Sequence, residues 1–208
     1  MERRLFLLTL ALSAAPLLPT PLLQGGSADG RLTGNDRARL LESLESGRAE
    51  LLAAVAGMSD EAWSYRPAAG RWSPAEIMEH LQKSEGLFQT ALDGALAGEP
   101  NAGWRATVAK TDELEAMMLD RSSPAQAPPV LQPEQALSRT ELVSAFAKDR
   151  AAVIAYVRSV EAPIKTHTGA LGPWDPVNGM QLILLRGAHT HRHLEQLREV
   201  IESPGFPR

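Results

Sequence analysis

The sequence contains no cysteine. Disulfides, thiolate metal ligands and a thiol nucleophile are thereby excluded. Any metal site in this chain must be assembled from His, Asp, Glu or water. An extended basic stripe is also missing, and the formal net charge is −4. That balance argues against a surface that tracks phosphates, so no nucleic-acid partner is expected. There is no internal repeat, no β-rich segment and no sustained coiled-coil heptad. The apolar run Leu5 to Leu12 stops before Pro16 and Pro19. It falls short of the about 20 residues that cross a bilayer, and no stable membrane span is expected in the mature form.

What stands at the N-terminus points to export. Arg3 and Arg4 precede the apolar run, and Ser13, Ala14 and Ala15 follow it. A charged start, a short greasy stretch and small residues are the parts of a secretory signal peptide. Arg3-Arg4-Leu5-Phe6-Leu7 also resembles a twin-arginine export signal, with Glu2 where a serine or threonine is usual. Residues 1–29 therefore read as a signal peptide or disordered leader, and the expected location is periplasmic or extracellular. Residues 30–208 read as one folded domain. Hydrophobic residues make up 44% of the chain and charged residues 22%, ordinary values for a soluble domain.

Four segments carry helical patterning. The first spans about Asn35 to Ala56, capped by Asn35 or Asp36, with Leu40, Leu41, Leu44, Leu51, Leu52 and Val55 forming an apolar stripe. Gly57 ends it. In the second, Ser73 is the N-cap, Pro74 the first helical residue and Glu76 the closing partner of a capping box. It should continue to about Ala97. From Gly98 to Pro133 the pattern dissolves among Pro100, Gly103, Pro124, Pro128, Pro129 and Pro133, with one short helical piece near Asp112 to Leu119. This stretch reads as a long crossover lying over one mouth of the fold. The third helix spans about Ser138 to Val160, and the last runs from Pro176 or Val177 to Ile201. The expected class is all-α: an antiparallel four-helix bundle with a long crossover between the second and third helices.

The histidines carry the chemistry. His189, His191 and His193 lie within five residues on the last helix. Residues four apart share a helix face, so His189 and His193 can offer their rings to one ion. His191 points about 160–200° away, toward solvent or the bundle's edge. A metalloprotease reading needs Glu directly after the first histidine, and Thr190 stands there instead. An HxxxH pair by itself is a modest signal. His80 shares the inward face of the second helix with Ile77, Leu81, Ser84 and Leu87. Alone it would usually be a hydrogen-bonded core residue; beside an inward HxxxH it becomes a candidate third ligand. Three imidazoles suit a divalent ion such as zinc, nickel or iron. Glu79, Glu85, Asp149 and Glu195 are candidates for orienting the ring N–H groups, although such residues more often belong to the solvated face. His167 falls in a Gly/Pro-rich loop and should face solvent. Trp63, Trp72, Trp104 and Trp174 are expected to pack at the bundle's ends rather than to line a pocket.

The stretch Gly70-Arg71-Trp72-Ser73-Pro74-Ala75-Glu76-Ile77-Met78-Glu79-His80-Leu81 resembles the opening of the second helix in the DinB-like superfamily. The run His189 to Gln196, with Arg192 and Gln196, resembles that family's last helix, and Pro67 fits as well. The resemblance spans about Asn35 to Ile201. It implies a four-helix bundle with a histidine-triad metal site, whose ligands carry over by position to His80, His189 and His193. It also implies thiol-dependent transferases and isomerases among the relatives, using mycothiol, bacillithiol or glutathione, and a homodimer. The export signal and the proline-rich segment depart from the family pattern.

Two functional readings with a metal follow, and one without. The first is a divalent-metal-dependent enzyme, a hydrolase or thiol-dependent transferase, acting on a small-molecule substrate; its catalytic residues are not identifiable. The second is a non-catalytic metal-binding or structural bundle of the cell envelope. The third uses the bundle for protein contacts alone and predicts that the three imidazoles do not converge.

Overall fold

In the computed structural model the described residues are 29–123, 126–134, 137–172 and 174–208. The expected export segment therefore lies outside them, apart from Asp29. The chain runs through α1 (Gly34–Val55), the short α2 (Asp60–Ser64), α3 (Pro74–Ala97), the small helices α4 (Trp104–Val108) and α5 (Thr111–Leu119), and α6 (Arg139–Ser159). A hairpin of β1 (Thr168–Leu171) and β2 (Trp174–Asn178) then leads into α7 (Gly179–Glu202).

Each long helix starts on a capping box, in which a short polar side chain and a residue three positions on satisfy each other's backbone N–H groups. Ser73 and Glu76 do this for α3, as the sequence predicts, and Ser138 and Glu141 do it for α6. Two starts differ from expectation. Thr33, rather than Asn35 or Asp36, caps α1, and Asp36 closes the box from inside the helix. Asn178 caps α7 with Gln181, while Pro176 and Val177 belong to β2. The hairpin is itself a departure from the all-helical expectation. Its antiparallel register pairs Thr168 with Asn178 and Gly169 with Val177, and Gly172 at the turn has the left-handed φ of 57° that glycine tolerates.

Around the bundle, α1 and α3 each pack against both α6 and α7. Contacts along the helices give their directions. Gly187 lies against Ser43 and Gly47 against Thr190, so α1 and α7 run the same way. Arg37 at the start of α1 donates to Val160 O at the end of α6, 2.9 Å, while Arg139 reaches Met58 O, 2.6 Å; these two helices are antiparallel. His80 meets His189 and Arg71 meets Glu199, so α3 and α7 are antiparallel as well. The expected antiparallel arrangement thus holds for two neighbouring pairs, and the other two run parallel. Amphipathic stripes fix which face is buried but carry no direction, which is why this pairing escapes the sequence.

Because α3 and α6 run the same way, residues 98–138 must travel back along the bundle. They do so beside α7. Gln181 Nε2 holds Thr107 O at 2.5 Å and Thr111 Oγ1 at 3.1 Å, and Arg192 Nη1 reaches Met118 O at 3.2 Å. The chain then crosses onto α3, where Lys83 Nζ donates to Gln132 O at 2.7 Å and Glu79 accepts from the Glu134 N–H at 3.0 Å.

The core falls into two apolar clusters. One gathers Leu40, Leu44, Phe88, Leu92, Val153, Val157 and Leu182; the other gathers Leu51, Val55, Ile77, Leu81, Leu142, Phe146 and Leu197. Along α3 and α6 a polar layer separates them. Glu85 is bonded there by Arg150 and Arg186, with all three side chains at most 3% exposed.

Candidate metal centre

The capping chemistry at Ser73-Pro74 sets the phase of α3, and six residues in, this phase turns His80 toward α7. On α7 the four-residue spacing stacks His189 and His193 on the facing side. His80 Nε2 lies 3.2 Å from His189 Nε2, and His193 Nε2 lies 3.1 Å from the same atom. One ligand atom from each residue falls within 4.8 Å of the others. Two nitrogens bound to one tetrahedral zinc at its usual bond length stand about 3.3 Å apart, so this is the spacing of a coordination edge.

The outer hydrogen bonds fix two of the three tautomers. His80 Nδ1 stands 3.0 Å from Leu131 O, and a carbonyl can only accept, so Nδ1 carries the proton and Nε2 keeps its lone pair. His193 Nδ1 donates in the same way to Gln196 Oε1 at 2.8 Å. Two lone pairs therefore face the single Nε2 of His189, which has at most one proton to give. A shared cation satisfies all three nitrogens at once.

Electrostatics agree with that reading. Burial lowers the His80 pKa, and Lys83 adds to the effect. His189 is held well below the ordinary imidazole value, first by burial and then by the two neighbouring rings and Arg192. Burial, with His80 next, brings His193 down to about 3. At neutral pH all three rings are uncharged, the form that binds metal. Aromatic walls close the sides: the Trp72 ring centre is 4.9 Å from that of His80 and 6.2 Å from that of His193, and Phe88 is 5.7 Å from His189.

The structure thus brings together His80, His189 and His193. It places His191 on the opposite side, where its Nε2 is 3.1 Å from Ser43 O on α1. His167 is partly exposed, with Nδ1 donating to Gly98 O at 3.0 Å. None of the four acidic candidates is bonded to the rings. Glu85 serves Arg150 and Arg186, Glu79 accepts from Glu134 N–H, Glu195 pairs with Arg198 on the surface, and Asp149 is half-buried on α6. Leu131 and Gln196 take their place. Gln196 stands one helical turn beyond His193, a spacing that could have identified it; a backbone carbonyl leaves no such signal. Trp72, expected at a bundle end, lies against the imidazoles instead.

Comparison with known proteins adds two findings. A family model described as the DinB superfamily matches residues 43–197. Among solved structures, one described as "YfiT from Bacillus subtilis is a probable metal-dependent hydrolase with an unusual four-helix bundle topology" is similar in fold. Its TM-score is 0.59 at 14% identity, over 85% of this chain and 91% of that one. No curated protein sequence matches significantly.

Proposed function

The chain belongs to the DinB superfamily, and on that premise we propose that it is a divalent-metal-dependent enzyme acting on a small molecule, with His80, His189 and His193 as the metal ligands. The observation that carries this reading is the convergence of three neutral imidazoles that no carboxylate joins among the described residues. Three protein ligands leave coordination positions open, whereas a structural site fills all four from the protein. A divalent ion held there supplies Lewis acidity and lowers the pKa of whatever occupies the open position.

The surrounding residues have separable tasks. Leu131 and Gln196 hold two rings in the orientation that presents Nε2. Trp72 and Phe88 shield the flanks from bulk water. Hydrolysis is the favoured reaction, supported by the likeness to a protein described as a probable metal-dependent hydrolase; thiol transfer would use the same open position. Action outside the cytoplasm is proposed on the Arg3-Arg4 pair and the apolar run after it. Among the described residues no helix is long and apolar enough to cross a membrane.

Elemental analysis of the protein from its own host, beside a His80→Ala, His189→Ala, His193→Ala variant, tests the assignment. About one equivalent of a transition metal, lost in the variant, is expected. Native protein without metal, and a variant of unchanged stability, would overturn it.

A further inference from the structure

Charge around the three imidazoles is one-sided. The outer partners of His80 and His193 are a backbone carbonyl and a side-chain amide, at 3.0 and 2.8 Å. A carboxylate in either place would pass negative charge through the ring toward the ion; these neutral acceptors orient the ring without doing so.

Cations are bonded instead to groups that neighbour each ligand. Arg150 Nη2 is 2.7 Å from Thr190 Oγ1, on the residue next to His189. Arg192 directly precedes His193, and its guanidinium donates to the Met118 and Asp120 carbonyls. Arg121 Nη1 reaches the carbonyl of Arg192 at 3.1 Å. Lys83 bonds Gln132 O, one residue beyond the carbonyl that holds His80.

Two of these charges, Arg150 and Arg121, lack a full counter-charge. Glu85 is shared by Arg150 and Arg186, which leaves a buried positive excess, and Nε and Nη1 of Arg150 have no hydrogen-bond partner. Glu199 is shared by Arg121 and Arg71, each at 2.7 Å. Lys83 has Glu79 at 3.5 Å and Glu134 at 3.1 Å, and Arg192 has the Asp120 carboxylate as an electrostatic partner.

Resting on the three-histidine reading, we propose that the substrate is an anionic small molecule, bound through its negative group at the position the imidazoles leave open. Arg121, Arg150 and Arg192 provide the field that selects it. Gln196 preserves that field, because it fixes the His193 ring without adding a carboxylate. In a site shielded from water such a field acts at a fraction of water's screening.

The test uses the full chain loaded with cobalt(II), titrated with azide as the anionic probe and imidazole as the neutral one, and followed by visible absorption. Gln196→Glu keeps the hydrogen bond to His193 and introduces the missing negative charge. It should weaken azide by about tenfold and change imidazole by less than about twofold. Arg192→Gln should do the same. Unchanged azide affinity in both variants overturns the proposal, as does an equal loss for both probes, which would report a distorted site. Cobalt content separates the two levels of the argument. A wild-type chain that takes up no cobalt overturns the three-histidine reading itself; full cobalt without discrimination overturns only the anion selectivity.

Discussion

His80 Nε2 stands 3.2 Å from His189 Nε2, although the two residues lie 109 positions apart in the chain. Each ring is uncharged at neutral pH, and His193 directs a further lone pair at the same point. Three uncharged nitrogens at this spacing match the edges of one shared coordination sphere.

Ligands and their outer partners should therefore differ in weight. Losing an outer hydrogen bond to a metal ligand weakens the ion by about 10–100-fold, and Gln196→Ala should fall in that range. His80→Ala removes a donor atom and strands the Leu131 carbonyl, so its loss should exceed that range. Competition with a chromophoric chelator measures both. A Gln196→Ala variant as damaged as His80→Ala would place Gln196 among the ligands rather than behind them.

The metal-free protein should be sensitive to mild acid. Burial keeps all three histidine pKa values below the roughly 6.5 they have in an unfolded chain. Between those values the unfolded state binds more protons than the folded one. Stability is therefore complete above about pH 6.5 and is lost as pH falls toward the folded values. With a folded pKa of about 3, His193 alone would cost about 2 kcal/mol at pH 5. Urea midpoints at pH 7.5 and 5 should separate for the metal-free wild type and separate by less in His193→Gln, where His80 and His189 still titrate. Parallel behaviour of the two proteins would mean the rings are more open to water than the structure places them.

Local chemistry is what the sequence made legible. The bounds of α3 follow from Ser73, Pro74 and Glu76, and the HxxxH face follows from helical period alone. The start of α7 is less legible, because Pro176 looks like a first helical residue, whereas the strand it lies in is held by Val177 and Asn178 pairing with Gly169 and Thr168. His80's hold on Leu131 is likewise invisible, because a main-chain carbonyl 51 positions away has no side-chain signature. Which acidic residues serve the histidines is hidden for a related reason. Glu85 looks available in sequence, but the two arginines that occupy it come from other helices.

That buried layer gives a stability prediction. Glu85 lies between Arg150 and Arg186, with Arg186 Nη2 at 2.6 Å. Glu85→Gln leaves two buried guanidinium groups without a counter-charge, and breaking a buried pair in this way costs about 3–5 kcal/mol. Replacing all three residues by apolar ones of similar size should recover most of the loss, since the pairing itself is expensive to desolvate. Denaturant unfolding of the single and triple variants decides the point. A single variant within about 1 kcal/mol of wild type would show that water reaches the layer.

Two helical glycines should respond oppositely to alanine, because only one is pinned by a neighbour. Gly86 on α3 is exposed, and an added Cβ would meet nothing within 4 Å. Gly86→Ala should raise stability by about 0.8–1 kcal/mol through helix propensity alone. At Gly187 the same Cβ would fall 2.3 Å from Ser43 Oγ and 3.1 Å from Ser43 Cβ, where α7 packs on α1. The hydroxyl can rotate away, but the Cβ contact can be relieved only by separating the helices. Overpacking of that kind costs about 1–3 kcal/mol, which outweighs the propensity gain. Thermal unfolding of the two variants should thus move in opposite directions. A Gly187→Ala protein as stable as Gly86→Ala would mean that α1 and α7 are not in the close parallel contact on which the orientation of His189 depends.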